Sequence, residues 1–300
     1  MIRIVFLGTG PGFPSKRRNF SSIYLEYNGF RMLFDCGEGT LRQMCIKGLK
    51  YMKLDAIFIT HWHPDHYLGL PSIVQTLALD ENRAPLQIYG PEKTAEFVKK
   101  IFEVGYCSTC PMAVRELSPG DVVKFKGFSV KAFETKHVIP SIGFIFQEDE
   151  KVNVDLEKAK EFGLSEGPIL GKLKQGEIVK WKGKIIRPEE IVIKAPGKKI
   201  VYTGDTKYFE ELIEYCKNAD LLICESTFAS DAKENVEEYM HMLSKEAGIL
   251  AKKAGVKKLI LTHISRRYEE DNALRKLLVE AKTEFDNVEV AEDFMEIRVE

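Results

Sequence analysis

Three of the six histidines in this chain fall within six residues, in the string His61-Trp62-His63-Pro64-Asp65-His66. The string follows Ile57-Phe58-Ile59-Thr60, a short apolar, β-branched run of buried-strand character. Chain leaving a strand in extended form sends residues two apart to the same side, so His61 and His63 point at one position. Pro64 then favours a turn, after which Asp65 and His66 face a neighbouring position. Imidazole and carboxylate suit zinc, with bonds of about 2.0–2.2 Å. Four ligand-type residues in six are too many for one open site supplemented from elsewhere, so two metal ions are implied. This commits the fold to more strands of the same kind, because α/β sites gather at the carboxyl ends of strands.

Three further residues sit just past a β-type run. His137 follows 128–133, Asp205 follows Ile200-Val201-Tyr202-Thr203-Gly204, and His263 follows Leu259-Ile260-Leu261-Thr262. Other strand-like runs are 22–27, 31–34, 56–60, 86–89, 142–147, 199–202, 221–224, 258–262 and 295–299. Helix-length segments lie between them at 91–104, 208–217 and 269–285. The most regular is 236–253, where Val236, Tyr239, Met240, Leu243, Ala247, Leu250 and Ala254 keep three-to-four spacing. Such alternation predicts an α/β architecture of two packed sheets with helices outside. A chain of 300 residues, 44% hydrophobic and 30% charged, has enough apolar content for that core and is not disordered.

Residues 150–190 break the pattern. They are rich in Lys, Glu and Gly, with Gly163, Gly167, Gly171, Gly176 and Gly183 too closely spaced for long elements. The segment reads as an insertion projecting from a single domain that spans 1–300. No apolar run approaches the roughly 20 residues that cross a bilayer. Residues 1–7 read as a first strand, since no small-residue cleavage site follows them, and a cytoplasmic setting is expected. The six cysteines fit a reducing compartment. Cys107 and Cys110 have zinc-knuckle spacing but no second pair. They are read as buried or local thiols, a disulfide or metal being the alternative.

Taken in order, His61-x-His63-x-Asp65-His66, His137, Gly204-Asp205-Thr206 and Thr262-His263 resemble the metallo-β-lactamase superfamily over nearly the whole chain. The resemblance implies an αββα four-layer sandwich with two zinc ions at one edge of the sheets. It implies His61, His63 and His137 on one ion, Asp65, His66 and His263 on the other, and Asp205 bridging. Such a pair shares a water whose pKa falls toward about 7. The metal motif alone fixes hydrolysis and leaves the substrate open.

Four features narrow the substrate. The loop after Gly8-Thr9-Gly10 carries Lys16, Arg17 and Arg18, cations beside glycines that suit backbone phosphates. Pro14-x-Lys16-x-Arg18-Asn19 is similar to the P-x-K-x-R-N loop of ribonuclease Z, the tRNA 3′-processing endonuclease. So is Asp35-Cys36-Gly37-Glu38-Gly39-Thr40, where Asp35 would orient a ligand histidine. From Lys172 to Arg187 six cations (Lys172, Lys174, Lys180, Lys182, Lys184, Arg187) face one anion, Glu177. Gly167-Pro168-x-x-Gly171-x-Leu173-x-x-Gly176 resembles the glycine/proline arm with which that family grips tRNA. With a net charge of −1 overall, RNA contact rests on such local patches.

The last feature is a proton donor. Glu225, after the strand 221–224, and His241, early in the helix 236–253, match motifs that pair near the metals in ribonuclease Z. Leu243 stands where the family often has Thr. The resemblance implies precursor tRNA as substrate, in-line attack by hydroxide, and Asp65 accepting a proton as well as binding metal. His241 would protonate the leaving 3′-oxygen, giving tRNA with a 3′-OH and a trailer with a 5′-phosphate. It also implies a homodimer. A small-molecule phosphodiesterase or arylsulfatase of the same fold would need no basic arm.

Overall fold

The chain was analysed as a computed structural model that describes residues 1–13, 15–81, 84–103, 109–164, 167–232, 236 and 238–300. Strand residues alternate between two buried faces, and the alternation builds two sheets. The first holds β1 (Ile2–Gly8), β2 (Ser22–Tyr27), β3 (Phe30–Phe34), β4 (Ala56–Phe58), β5 (Leu86–Gly90) and β6 (Met112–Glu116). The second holds β7 (Val122–Phe125), β8 (Phe128–Glu134) and β9 (Ile142–Glu148). Four short strands follow, β10 (Lys151–Val154), β11 (Val179–Trp181), β12 (Lys184–Ile186) and β13 (Val192–Ala195). The second sheet then resumes with β14 (Lys199–Tyr202), β15 (Leu221–Glu225), β16 (Leu259–Thr262) and β17 (Val288–Val290), and β18 (Glu296–Val299) returns to the first. Among the described residues each large sheet has seven strands, in the orders β18-β1-β2-β3-β4-β5-β6 and β17-β16-β15-β14-β9-β8-β7.

Within the first sheet β3, β4, β5 and β6 run parallel, and within the second β14 to β17 do. Their carboxyl ends therefore emerge on one side. One face of each sheet packs on helices. Val5, Leu7, Leu33, Ile57 and Ile88 join Ile73, Val74 and Leu77 of helix Leu70–Leu77. Leu222, Cys224, Leu259 and Leu261 join Leu250, Ala251 and Leu277 of helices Ser244–Ala254 and Asp271–Lys282. The opposite faces meet through aromatic rings: Phe34 lies 5.7 Å from Phe144 and 6.0 Å from Tyr202, and Phe58 lies 5.3 Å from Phe144. This is the expected four-layer sandwich. Among the described residues no helix is long and apolar enough to cross a membrane.

Contacts between residues divide the chain into two compact units. One comprises Met1–Lys124, Val130–Phe146 and Lys199–Glu300, the other Phe125–Ser129 and Gln147–Lys198. The expected insertion at 150–190 falls in the second unit, whose bounds are wider. That unit has its own small core of Ala159, Leu164, Leu170, Leu173, Ile186 and Ile191. Trp181 packs against this core and donates from Nε1 to the Gly163 carbonyl at 3.2 Å, so its indole serves the unit's interior. Cys107 and Pro14 lie outside the described residues; Cys110 is buried.

One expected element is interrupted within its apolar pattern. The helix read at 236–253 is broken: Val236, Glu238 and Tyr239 are helical, the chain turns at Met240, and a new helix begins at Ser244. Met240 takes a left-handed φ of 53°, and the Met242 N–H is drawn to Glu225 Oε2 at 3.1 Å. The Leu243 N–H goes to Glu246 Oε2 at 3.0 Å, which opens the helix in the manner of a capping box. His241 is therefore a loop residue.

Candidate active site

All six histidines of the chain meet in one cluster. Ring centroids are 4.8 Å apart for His61–His63, 4.1 Å for His61–His66 and 5.0 Å for His63–His137. The chain of contacts closes through His66–His263 at 5.4 Å, His241–His263 at 5.3 Å and His137–His241 at 5.2 Å. Each residue arrives from the carboxyl end of a strand, or from the loop before helix Ser244–Ala254 in the case of His241. After β4 the chain stays extended through His63. Pro64 then opens a single helical turn, Pro64–Tyr67, that carries Asp65 and His66 inward.

Within 4.8 Å of one another lie the ligand-type atoms of His61, His63 and His137, of His61, His66 and Asp205, and of Asp65, His66 and His263. His61 Nε2 and His137 Nε2 approach His63 Nδ1 at 3.0 and 3.1 Å, three ring nitrogens converging on one point. Asp205 Oδ2 lies 3.7 Å from His61 Nε2, 3.5 Å from His66 Nε2 and 3.2 Å from His263 Nε2, between the two groups. Buried side-chain polar atoms normally find partners. Of the five described ones that do not, three are His66 Nε2, Asp205 Oδ1 and His263 Nε2. Divalent cations fit this donor set, and nothing else in the described structure satisfies it.

The electrostatics differ between the two groups. Burial, then the charge of neighbouring imidazoles, holds His61 well below its ordinary pKa, and burial with His137 lowers His63. For His66, burial is outweighed by the carboxylates of Asp205, Asp35 and Asp65, which raise it. Neutral imidazole is the form that binds metal. Burial opposes ionisation of Asp205, yet the positive field of His263 and His66 holds its carboxyl well below the usual range. Asp65 is held low in the same way, against burial, by His66 and His263.

A second layer of residues fixes which ring nitrogen faces inward. Asp35, at the end of β3 with a left-handed φ of 57°, accepts from the Thr60 N–H at 2.7 Å and the Tyr202 hydroxyl at 2.8 Å. It also accepts from His66 Nδ1–H at 2.7 Å, leaving the His66 Nε2 lone pair free. The Thr60 hydroxyl donates to Asp35 and accepts from His61 Nδ1 at 3.0 Å. In parallel, the Thr227 hydroxyl donates to Glu225 at 2.7 Å and accepts from His263 Nδ1 at 2.8 Å. Thr60, Tyr202 and Thr227 escape sequence reading because each is an ordinary strand or loop residue. Only their hydrogen bonds to Asp35 and Glu225 in the folded chain reveal them.

Glu225 is saturated. Its oxygens take the Thr206 N–H at 2.6 Å, the Thr227 hydroxyl, the Met242 N–H and His241 Nδ1–H at 2.9 Å. Burial alone would lower the His241 pKa, but the Glu225 charge and hydrogen bond outweigh it and push it up to about 9. Leu243, in the place of the family's Thr, buries its side chain in the core.

Not every expected contact residue faces outward. Lys16 and Arg17 are exposed, and Arg17 pairs with the Asp271 carboxylate. Arg18 is turned inward: it is 5% exposed, and its Nη1 donates to Thr9 Oγ1 at 2.7 Å and the Ala291 carbonyl at 2.6 Å. Asn19 gives its side-chain amide to the Glu38 carbonyl at 2.9 Å and its backbone N–H to Asp293 at 2.8 Å. Both therefore anchor the loop. In the smaller unit Gly167 precedes helix Pro168–Lys174, Pro168 opens it, and Lys172 and Lys174 are exposed in its last turn.

Gly37 is a point of close approach. A Cβ there would meet the Asp65 carbonyl oxygen at 2.4 Å and Phe20 Cβ at 2.5 Å. Gly37→Ala is expected to push the 64–67 turn off its position. The loss of thermal stability should be about 1–3 kcal/mol, with lowered metal content by elemental analysis; unchanged metal content would contradict it.

Residues 2–162 match the family model described as anti-Pycsar protein Apyc1, and residues 189–264 match that of the β-lactamase superfamily domain. Together with the two sheets and the His/Asp centre at their strand ends, this makes the protein an enzyme of the metallo-β-lactamase fold. Relatives that align over the full length are more specific. The curated ribonuclease Z of Methanosarcina acetivorans is 43% identical over 302 residues, covering 100% of this chain and 98% of its own. That of Archaeoglobus fulgidus is 44% identical over 304 residues, with the same coverage of 100% and 98%. The crystal structure of the short form of human tRNase Z matches with a TM-score of 0.72 and 28% identity over 99% of each chain. The chain belongs to the ribonuclease Z family, and its activity is that of a nuclease. The Apyc1 match ends before Asp205, Glu225, His241 and His263, whereas the ribonuclease Z relatives extend across them.

Proposed function

We propose that this protein removes the 3′ trailer from precursor tRNA by hydrolysis, leaving a 3′-OH on the tRNA and a 5′-phosphate on the trailer. The observation that carries the reading is the convergence of six histidines with Asp65 and Asp205, in a chain whose full-length relatives are named ribonuclease Z. Two zinc ions are the cofactor that best suits this nitrogen and oxygen set. His61, His63 and His137 would hold one, Asp65, His66 and His263 the other, with Asp205 between them. When bound, the ions supply a hydrolytic nucleophile at neutral pH and neutralise charge on the phosphate oxygens.

The remaining work falls to the chain's own groups. His241, kept cationic by Glu225, holds the proton that the departing 3′-oxygen needs. Asp35 and Thr227 keep His66 and His263 in the tautomer whose Nε2 lone pair faces inward. Asp65 is ionised and accepts a proton from the attacking side. Lys16, with Gly167, Pro168, Lys172 and Lys174 of the smaller unit, contacts tRNA phosphates.

A 3′-extended tRNA transcript, incubated with and without a chelator and followed by end analysis, tests the reading. Cleavage to 3′-OH and 5′-phosphate ends, abolished by chelation and restored by zinc, is the expected result. A 2′,3′-cyclic phosphate product would overturn it, because that product requires attack by the ribose 2′-hydroxyl. Deleting residues 150–190 is expected to weaken tRNA cleavage; undiminished cleavage would remove the contact assigned to the smaller unit.

A further inference from the structure

A cavity of about 560 Å³ adjoins the histidine cluster and is unused by the chemistry described so far. Three turns form it: the one after β5 at Pro91, the one between β6 and β7 at Pro119, and the connection from β8 to β9 at residues 135–142. Two of its lining residues belong to the edge of the active centre. His137 is one, and Met240, which precedes His241 in the chain, is the other. The His137 Nδ1 lies 3.4 Å from the Met240 carbonyl, and the His137 and His241 rings are 5.2 Å apart. The cavity thus opens on the side of the centre where His241 stands.

Its chemistry is that of a neutral, partly apolar ligand. Pro119, Val138 and Pro140 give rigid apolar walls. The hydroxyls of Thr135 and Ser141 are 2.6 Å apart and share one hydrogen bond, so one of the two O–H groups is left to donate to a guest. The charged side chains on the rim are one of each sign, Glu92 and Lys136. Lys136 is already occupied: its Nζ sits 4.3 Å above the Phe209 ring and 3.9 Å from Glu211. A phosphate therefore gains little here. The walls are also held in place, since the Lys136 N–H donates to Thr206 Oγ1 at 2.9 Å and the Ile142 N–H to the Thr60 carbonyl at 2.9 Å. A preformed recess of this size is in the range of small-ligand sites, roughly 300–1,000 Å³.

We propose that this cavity is a nucleoside subsite that takes the ribose and base of the nucleotide whose 3′-oxygen departs. The assignment rests on the function proposed above. With the diester between the metal ligands and His241, the nucleoside bearing the leaving oxygen lies on the His241 side, next to this recess. The cavity then orients the leaving group toward its proton and makes cleavage sensitive to which base precedes the cut.

The test compares wild type, Val138→Trp and Ser141→Ala on four 3′-extended tRNA transcripts that differ only in the nucleotide preceding the cut. Val138 is 49% exposed, so tryptophan there fills the recess without entering the core. Melting temperature and metal content serve as controls for folding. Wild type is expected to discriminate among the four transcripts. Val138→Trp should lose at least about tenfold in kcat/KM, the equivalent of 1.36 kcal/mol, with both controls unchanged. Ser141→Ala, which removes one hydroxyl of the Thr135–Ser141 pair, should flatten the base preference by a factor of about three. Efficient cutting of all four transcripts by a normally folded Val138→Trp, or an unaltered preference in Ser141→Ala, overturns the subsite alone. Failure of wild type to cut any of them overturns the proposed function, and the subsite with it.

Discussion

Replacing His241 with alanine is expected to slow single-turnover cleavage of a 3′-extended tRNA by about 10²–10⁴-fold, with metal content and tRNA affinity close to wild type. The size follows from the chemistry. An alkoxide is a poor leaving group, and His241 is the cluster histidine outside the proposed metal-ligand set; its Nδ1 is bound to a carboxylate, Glu225, that also raises its pKa. The pH dependence has a definite sign. A general acid works while protonated, so the rate should fall as pH rises through the His241 pKa, which Glu225 pushes up to about 9. Glu225→Gln removes the charge that raises it, and the alkaline fall should begin at lower pH. That variant also turns an amide donor toward the Thr227 hydroxyl and the Met242 N–H, costing about 1–3 kcal/mol of stability. A His241→Ala enzyme with an unchanged single-turnover rate would remove this residue from the reaction.

The second large effect is expected at Asp205. It approaches His61, His66 and His263 with one oxygen and has no hydrogen-bond partner for the other, so its loss takes a ligand-type group from both halves of the cluster. Asp205→Ala should lower activity by about 10³-fold or more, corresponding to several kcal/mol of charge stabilisation at 1.36 kcal/mol per tenfold. A readout independent of activity separates a ligand from a packing residue. A bound ion stabilises the folded chain by mass action, so chelation should lower the melting temperature of wild type. In Asp205→Ala that chelator-dependent drop should shrink. An undiminished drop would show that the ions do not need Asp205.

What the sequence makes legible is set by how locally each feature is determined. The strands preceding His61, Asp205 and His263 are short apolar runs buried on both faces, the strand preceding His137 alternates buried and open positions, and each ends where chemistry-bearing residues begin. Sandwich and cluster are therefore readable from composition along the chain. The second layer is not. Tyr202 looks like any strand tyrosine until Asp35, 167 positions away in sequence, accepts its hydroxyl. Of three adjacent cations, nothing local tells that Arg18 turns inward while Lys16 and Arg17 stay exposed. The deciding groups, Thr9 and the Ala291 carbonyl, lie on other segments. The apolar spacing that runs through Met240 and Leu243 suggests one unbroken helix from 236. Glu225 claims the Met242 N–H where that helix is interrupted, and in doing so sets His241 where it is useful.

The ligand-type residues are strung along the chain from His61 to His263, and both sheets supply them. During synthesis a chain is made from its amino terminus, so a ribosome that has not yet passed residue 263 carries no complete centre. His263 is also held in a left-handed backbone conformation, φ 59°, that L-residues other than glycine seldom adopt and that tertiary packing must impose. An unfinished or prematurely terminated product therefore has neither the last ligand nor the packing that bends it into place. A nuclease built in this way lacks a complete centre until the segment carrying His263 has been made and packed.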